Sequence, residues 1–275
     1  MRLRLIVPLL AIVCAVAPAR AQLAVEPAGM PGPALPGGGE PGAARSAFET
    51  PLDPTVAPAY YAIADDTPVY AEPDAGSATS VRLDLRDGVR VLAEEGGWSL
   101  IERENRRGYV RSEALSNLWV RVDKSDRAVY VYRGAELFRT YPADVSASEG
   151  DKVRRAALGE RDHYRIPEGT FYVARKNPNS AYHLALVVSY PNEEHAARGL
   201  REGLISERQY EAIVEANRAF RPPPMGTALG GLIEVHGQGS GRQRAWTRGC
   251  VALRNVHMEE LYDLVHVGTP IVIEP

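Results

Sequence analysis

Cys250 and His236 are the two residues of this sequence best suited to do chemistry together. Cys250 stands in the run Trp246-Thr247-Arg248-Gly249-Cys250-Val251-Ala252-Leu253, downstream of the pair His236-Gly237. A thiol attacks a carbonyl carbon as the thiolate, a minor species at neutral pH for a free cysteine of pKa about 8.5. A nearby histidine lowers that value by holding an imidazolium beside the sulfur, and His236 is the natural base. It ends the β-prone run Leu232-Ile233-Glu234-Val235, which would fix its position. Gly237 allows close backbone approach, and its carbonyl could orient the ring nitrogen. Gly249 frees the backbone of a Cβ just before the thiol and lets it take an unusual φ. The N–H of Cys250, with that of Gly249 or Arg248, could then receive a developing oxyanion.

The other cysteine, Cys14, lies in a stretch that reads as an export signal. Arg2 and Arg4 precede the apolar segment Leu5 to Val16, too short to span a bilayer, and Ala19-Arg20-Ala21 fits a small-x-small cleavage site. The mature chain would then start at Gln22 with one cysteine and no intramolecular disulfide partner. Exported proteins usually pair their cysteines or dispense with them. The bland reading of Cys250 is an inert, buried small residue. The polar and basic residues flanking it favour a nucleophile.

Losing residues 1–21 removes three arginines and leaves 29 Lys+Arg against 35 Asp+Glu, a net charge of −6. Such a chain has no excess of positive charge to neutralise phosphates, which argues against a nucleic-acid partner. His163, His183, His195, His257 and His266 are scattered, and with His236 and Cys250 they match no standard zinc spacing, so neither a metal nor another cofactor is expected. Arg242, Arg244, Arg248 and Arg254 surround the cysteine. They either bind carboxylates and favour the thiolate, or form a solvated loop; Arg248 is the choice if one of them is functional.

Around these residues the chain divides into four parts. Residues 1–21 are the signal. Residues 22–59, rich in Pro, Gly and Ala, cannot bury enough apolar surface to offset their ordering entropy and read as a disordered tether. Residues 60–117 carry short β-prone runs (Tyr60 to Ile63, Val69-Tyr70, Val81 to Leu83, Val89 to Leu92, Trp98 to Ile101, Gly108 to Val110) separated by turn signals such as Asp87-Gly88 and Gly96-Gly97. That spacing suggests a small β-barrel. Residues 118–275 form a larger β-rich domain. Its strands are expected at Leu118 to Val122, Ala128 to Tyr132, Ala135 to Phe138, Phe171 to Ala174, Leu184 to Val188, Leu232 to Val235 and Pro270 to Ile273. Ser206 and Gln209 make a capping box for one helix, stopped by Pro222-Pro223-Pro224. Met258, Leu261, Tyr262 and Val265 mark another, with Asn255 as its N-cap. The segment from Glu193 to Pro224 reads either as a lid or as a static insertion.

Two resemblances follow. Gly97-Trp98-Ser99-Leu100-Ile101 and Gly108-Tyr109-Val110 resemble a bacterial SH3 domain, in which Trp98 and Tyr109 either line a peptide groove or pack the barrel. His236-Gly237 with the run Trp246 to Leu253 resembles the signature of the L,D-transpeptidase catalytic domain (YkuD-type). Asp151-Lys152, Pro167 to Phe171, Ser189-Tyr190-Pro191-Asn192, Leu229-Gly230-Gly231 and Gly268-Thr269-Pro270 follow the same family in order. The resemblance implies a mainly β fold, a β-sandwich with accessory helices behind a small SH3-like barrel. It also implies that Cys250 attacks the L,D bond before the terminal D-alanine of a peptidoglycan tetrapeptide and passes the acyl group to an amine or to water.

Position by position, Cys250 matches the nucleophile, His236 the base, Gly237 the carbonyl that steadies it, and Gly249 with Cys250 the oxyanion site. Thr247 matches a Ser/Thr position. Arg248, Thr247 and Tyr190 are the expected substrate-binding residues, though packing competes as a reading of Tyr190. Arg248 departs from the family, many members of which carry a second histidine there. The partners implied are peptidoglycan stem peptides, with an envelope lipoprotein as a further acceptor, and the location is the periplasm or cell wall. Hydrolysis by the same cysteine, as a carboxypeptidase or amide hydrolase, and a non-catalytic wall binder are the alternatives.

Overall fold

The computed structural model describes residues 59–157 and 159–275; the expected signal and nearly all of the expected tether, Cys14 included, lie outside the described residues. What is described is mainly β.

Strands β1 (Ala59–Ala62), β2 (Thr67–Tyr70), β3 (Thr79–Leu83), β4 (Gly88–Glu95), β5 (Trp98–Arg103), β6 (Arg106–Arg111) and β7 (Leu115–Ser116) make one sheet in the order β3-β2-β6-β5-β4-β1-β7. Its core is its own, built from Ala62, Val69, Leu83, Val89, Val91, Ile101, Val110 and Leu115. Gly108 belongs to that core, because a Cβ there would stand 2.5 Å from Val69 Cγ1. The small sheet meets the larger body where Tyr61 Oη donates to Leu118 O at 2.6 Å. The half-buried Arg86 guanidinium lies over both the Tyr61 and Phe220 rings there.

The larger body begins with β8 (Leu118–Asp123), β9 (Ala128–Arg133) and β10 (Glu136–Ser146). In β8, Leu118, Val120 and Val122 point inward and alternate with Trp119, Arg121 and Asp123, the period-two pattern of a half-buried strand. Each such fully buried side chain contributes about 1.5–3 kcal/mol. Further strands are β11 (Gly169–Ser180), β12 (His183–Val188), β13 (Glu234–His236), β14 (Ala245–Thr247), β15 (Val251–Leu253) and β16 (Pro270–Glu274). The order is β14-β10-β15-β13-β12-β11-β16-β8-β9, and β9 also pairs with β10. Long strands β10 and β11 therefore serve two layers. One end of each joins the β8-β9-β16 layer and the other joins β12, β13 and β15. Shared strands of this kind make the corners of a sandwich. The apolar filling includes Val120, Val131, Phe171, Val188, Val235, Val251, Leu253 and Ile271.

Among the described residues three α-helices accompany the sheets. Asn192 caps α1 (Glu193–Arg201) by accepting the His195 N–H. The Ser206–Gln209 box caps α2 (Glu207–Arg218), as its residues predict. Ala196, Ile205, Ile213 and Leu229 close a separate apolar cluster between these helices and the body. Tyr172 Oη donates to Arg221 O at 2.8 Å and Asn217 Nδ2 to Pro191 O at 3.0 Å, so the 193–224 insertion is pinned at several points. The third helix, α3 (Asn255–Leu264), corrects an expectation. Arg254 occupies its N-cap with no side-chain cap, and the Asn255 side chain is employed elsewhere.

Candidate active site

Parallel strands β13 and β15 set the site. Val235 pairs with Val251 and His236 with Ala252, so the register carries Cys250 opposite Glu234. Strand alternation sends Val235 and Val251 into the core and leaves Glu234, His236 and Cys250 on the opposite face. The imidazole and the thiol therefore share one face, diagonal across adjacent strands. Cys250 Sγ lies 3.7 Å from Leu232 O and beside the Glu234 backbone.

His236 is 3% exposed, and its Nδ1 lies 2.7 Å from Gly237 O. A carbonyl only accepts, so Nδ1 carries the proton and Nε2 is left as the base. The Tyr182 ring stacks on the imidazole at a centroid distance of 4.4 Å. Gly237 has no room for a side chain: a Cβ would stand 2.6 Å from Tyr182 O and 2.8 Å from Asn255 Oδ1. That Asn255 oxygen accepts the Gln238 N–H at 2.7 Å, which ties the residues after the histidine to the start of α3.

Gly249 is required twice over. Its φ is +113°, a region that L side chains rarely enter, and a Cβ would stand 3.0 Å from Arg165 O. Among the described residues, neither the Gly249 nor the Cys250 amide is drawn into a ladder or a turn. Both remain able to receive a negative oxygen.

The electrostatics favour an unionised pair over the thiolate–imidazolium pair expected from the residue types. Burial pushes the Cys250 thiol up to about 11; the nearby Glu234 charge adds to this, while the Glu234 N–H and Lys152 oppose it. Burial also lowers His236 below its ordinary value, against the hydrogen bond to Gly237. At neutral pH the resting site holds a neutral thiol and a neutral imidazole.

The three expected substrate contacts divide. Arg248 is exposed, with its guanidinium 5.6 Å from the centre of the Tyr164 ring. Thr247 is 5% exposed and its Oγ1 donates to Cys250 O at 2.6 Å, so it shapes the turn around the thiol instead of facing a substrate. Tyr190 is wholly buried, and its Oη donates to Leu229 O at 3.1 Å. The reading of Tyr190 as a substrate contact is thereby corrected: it has no surface to offer and holds the 229–231 loop instead.

Other residues gain importance that their types alone did not show. Asp144 is fully buried and accepts from Ser240 N at 2.6 Å, Ser240 Oγ at 2.7 Å, Arg244 N at 2.8 Å and Trp246 Nε1 at 2.7 Å. One carboxylate thus organises the loop leading to the thiol. A charged residue between Ala143 and Val145 in an apolar strand was the available signal. Burial alone would raise its pKa, but these donors outweigh it and hold the carboxylate below its ordinary value.

The L,D-transpeptidase catalytic domain (YkuD) family model matches residues 117–273. Among curated protein sequences none matches the chain. Solved structures similar to it include Bd1075 of Bdellovibrio bacteriovorus, at 24% identity over 59% of this chain and 49% of that one, with a TM-score of 0.38. The helical cell-shape-determining protein Pgp2 of Campylobacter jejuni gives 21% identity, 58% and 47% coverage and a TM-score of 0.38. An L,D-transpeptidase of Mycobacterium smegmatis gives 14% identity, 84% and 85% coverage and a TM-score of 0.36. The chain spans about half the length of the first two proteins. The family model takes in the β8-to-β16 body together with His236, Gly249 and Cys250, and by that match the chain belongs to the L,D-transpeptidase catalytic-domain family.

Proposed function

We propose that the protein is an exported cysteine acyltransferase of peptidoglycan, using Cys250 as nucleophile and His236 as base. The carrying observation is the shared face: a strand-fixed imidazole, a thiol diagonal to it and, among the described residues, an Nε2 and Gly249 and Cys250 amides without partners. His236 Nε2 takes the thiol proton as Sγ bonds to the carbonyl carbon of the L,D amide. The resulting oxyanion rests on the two amides. Collapse breaks the C–N bond, and the imidazolium returns its proton to the departing D-alanine amine, leaving a thioester. An acceptor amine then attacks the thioester, His236 takes its proton, and the thiol is regenerated. A stem peptide or an envelope lipoprotein would supply that amine, while water in its place gives a carboxypeptidase or amide hydrolase.

The sheet of residues 59–116 is read as an SH3-like module preceding the catalytic domain. In it Trp98 is packed between Tyr70, edge-on at 5.3 Å, and Arg111, at 4.0 Å over the ring. This favours the packing role for Trp98 over an open peptide groove. An export signal would place the enzyme in the periplasm or wall.

The test is mass spectrometry of products from purified tetrapeptide muropeptides. Cross-linked dimers and free D-alanine with the native chain, and neither with Cys250→Ala, are expected. Free tripeptide alone would assign hydrolysis. Release of D-alanine by the Cys250→Ala protein would refute the mechanism. Absence of any acyl adduct with a carbapenem would favour a wall binder.

A further inference from the structure

We propose that Lys152 is a substrate-binding residue of this site, its ammonium receiving the α-carboxylate of the donor's terminal D-residue. The location comes first. Lys152 is 5% exposed. Its side chain passes Gly230, where a Cβ would lie 3.7 Å from Lys152 Cε, and Nζ donates to His163 O at 3.4 Å. Both neighbours lead to the thiol. The Gly230 loop runs on to Leu232, whose carbonyl faces Cys250 Sγ at 3.7 Å. The His163 segment runs on to Arg165, whose carbonyl lies against Gly249. Lys152 thus spans the two segments that flank Cys250, close enough for the ammonium and the sulfur to influence each other's charge.

The main chain on either side is fixed. Asp151 accepts from Glu168 N at 2.8 Å and Arg198 Nη1 at 2.5 Å and contacts His195 Nε2 at 3.1 Å, while Lys152 O accepts from Arg198 Nη2 at 2.6 Å. The neighbouring carboxylate is therefore committed to other donors.

An ammonium carries three donors and is seldom buried unless paired. Among the described residues Lys152 Nζ makes one hydrogen bond, a long one to a neutral carbonyl. The thiol beside it is neutral at rest, and Glu234, the other acid beside the sulfur, is held toward its neutral form by burial, with Arg175 opposing. Burial lowers the Lys152 pKa below its ordinary value, with the Cys250 and Asp151 charges opposing, so an anion brought to its under-used donors would favour the ammonium form. The substrate supplies one in the right place: the carboxylate of the leaving amino acid sits on the Cα bonded to the scissile nitrogen, within about 5 Å of the attacked carbon. No neutral end group could pair with the ammonium in this way. Lys152 would accordingly select donors ending in a free carboxylate.

The identity of the ligand rests on the acyltransferase reading, and the experiment separates the two. Full-length protein is alkylated with iodoacetamide at pH 8, with labelling read at Cys250 by peptide mass spectrometry. The protectant is a stem tetrapeptide ending in D-alanine or in D-alaninamide. With the native chain, the acid should protect at roughly tenfold or more lower concentration than the amide, the scale of one charge-assisted hydrogen bond. Lys152→Met should abolish that preference by weakening protection by the acid alone, and Lys152→Arg should keep part of it. Equal protection by acid and amide in the native chain would overturn the proposal, as would a preference that survives in Lys152→Met. Turnover of the same peptides is scored separately: acid-selective protection without D-alanine release would reject the acyltransferase reading and leave the Lys152 site standing.

Discussion

The charge state of Cys250 is the sharpest consequence of the site and can be measured without a substrate. Burial takes the thiol from an ordinary value near 9 up to about 11. Two units correspond to about a hundredfold less thiolate at neutral pH, since each unit is a factor of ten. His236 moves the other way: burial lowers it below its ordinary value, so at pH 7 it is uncharged and able to accept a proton. The assay is the second-order rate of iodoacetamide reaction at Cys250 from pH 6 to 10, in the native protein and in the same protein unfolded in urea. The native thiol should react about a hundred times more slowly than the unfolded one near neutrality, with no plateau by pH 10. Acyl transfer, by contrast, should rise with pH on an acid limb below the ordinary histidine pKa, because the neutral imidazole is the active form. An ion-paired site would behave oppositely, with fast native alkylation already levelled off below pH 8. That result, or transfer falling as the imidazole loses its proton, would refute the general-base reasoning.

Gly249→Ala should reduce acyl transfer by more than tenfold and lower the unfolding free energy by about 1–3 kcal/mol, from strain at φ +113° and a Cβ 3.0 Å from Arg165 O. Steady-state kinetics and urea denaturation check both, and unchanged transfer would remove the glycine from the oxyanion argument. Asp144→Asn should destabilise the fold by about 1–3 kcal/mol at pH 7, because an amide NH2 would face donors now satisfied by the carboxylate. Asp144 has a depressed folded pKa, so its contribution is present above the ordinary carboxylate pKa and lost as pH falls through the folded value. The stability gap between native and variant proteins should therefore begin to narrow below about pH 4, the unfolded aspartate value, and go on narrowing as pH falls through the folded value. A gap constant down to pH 2 would contradict the assignment.

How much of this was legible depended on how local the signal was. Cys250 and His236 stand next to glycines that advertise a special backbone, and the strand run before His236 is continuous in sequence. The period-two pattern of β8 and the capping box of α2 are likewise short-range and appear where their residues predict. Residues whose partners are remote escaped. Asp144 meets Trp246 and Lys152 meets His163 and the Gly230 loop only after the long strands bend and the layers close. Asn255 was misplaced for a related reason. An asparagine ahead of an amphipathic helix makes a good cap in isolation, yet here its oxygen is claimed by Gln238 N, and only the packed α3 reveals the competitor. Tyr190 misled because nothing in its Tyr-Pro-Asn context distinguishes a pocket wall from a buried strut.

Arg248 is the residue at which the site departs from the family pattern. Many members of the family have a histidine at this position, and a second imidazole would be a second titrating group beside the thiol. Here a permanent cation stands there, exposed and laid over Tyr164. Tyr164 precedes Arg165, whose carbonyl abuts Gly249, and the Tyr164 carbonyl itself accepts from Ser146 Oγ at the end of β10. The arginine therefore lies against the same segment that Lys152 meets through His163 O. In the proposed mechanism proton transfer is then assigned to His236, Arg248 being unable to serve as a second base. With one base and an unionised resting thiol, that mechanism requires each proton leaving the sulfur to pass to His236 Nε2.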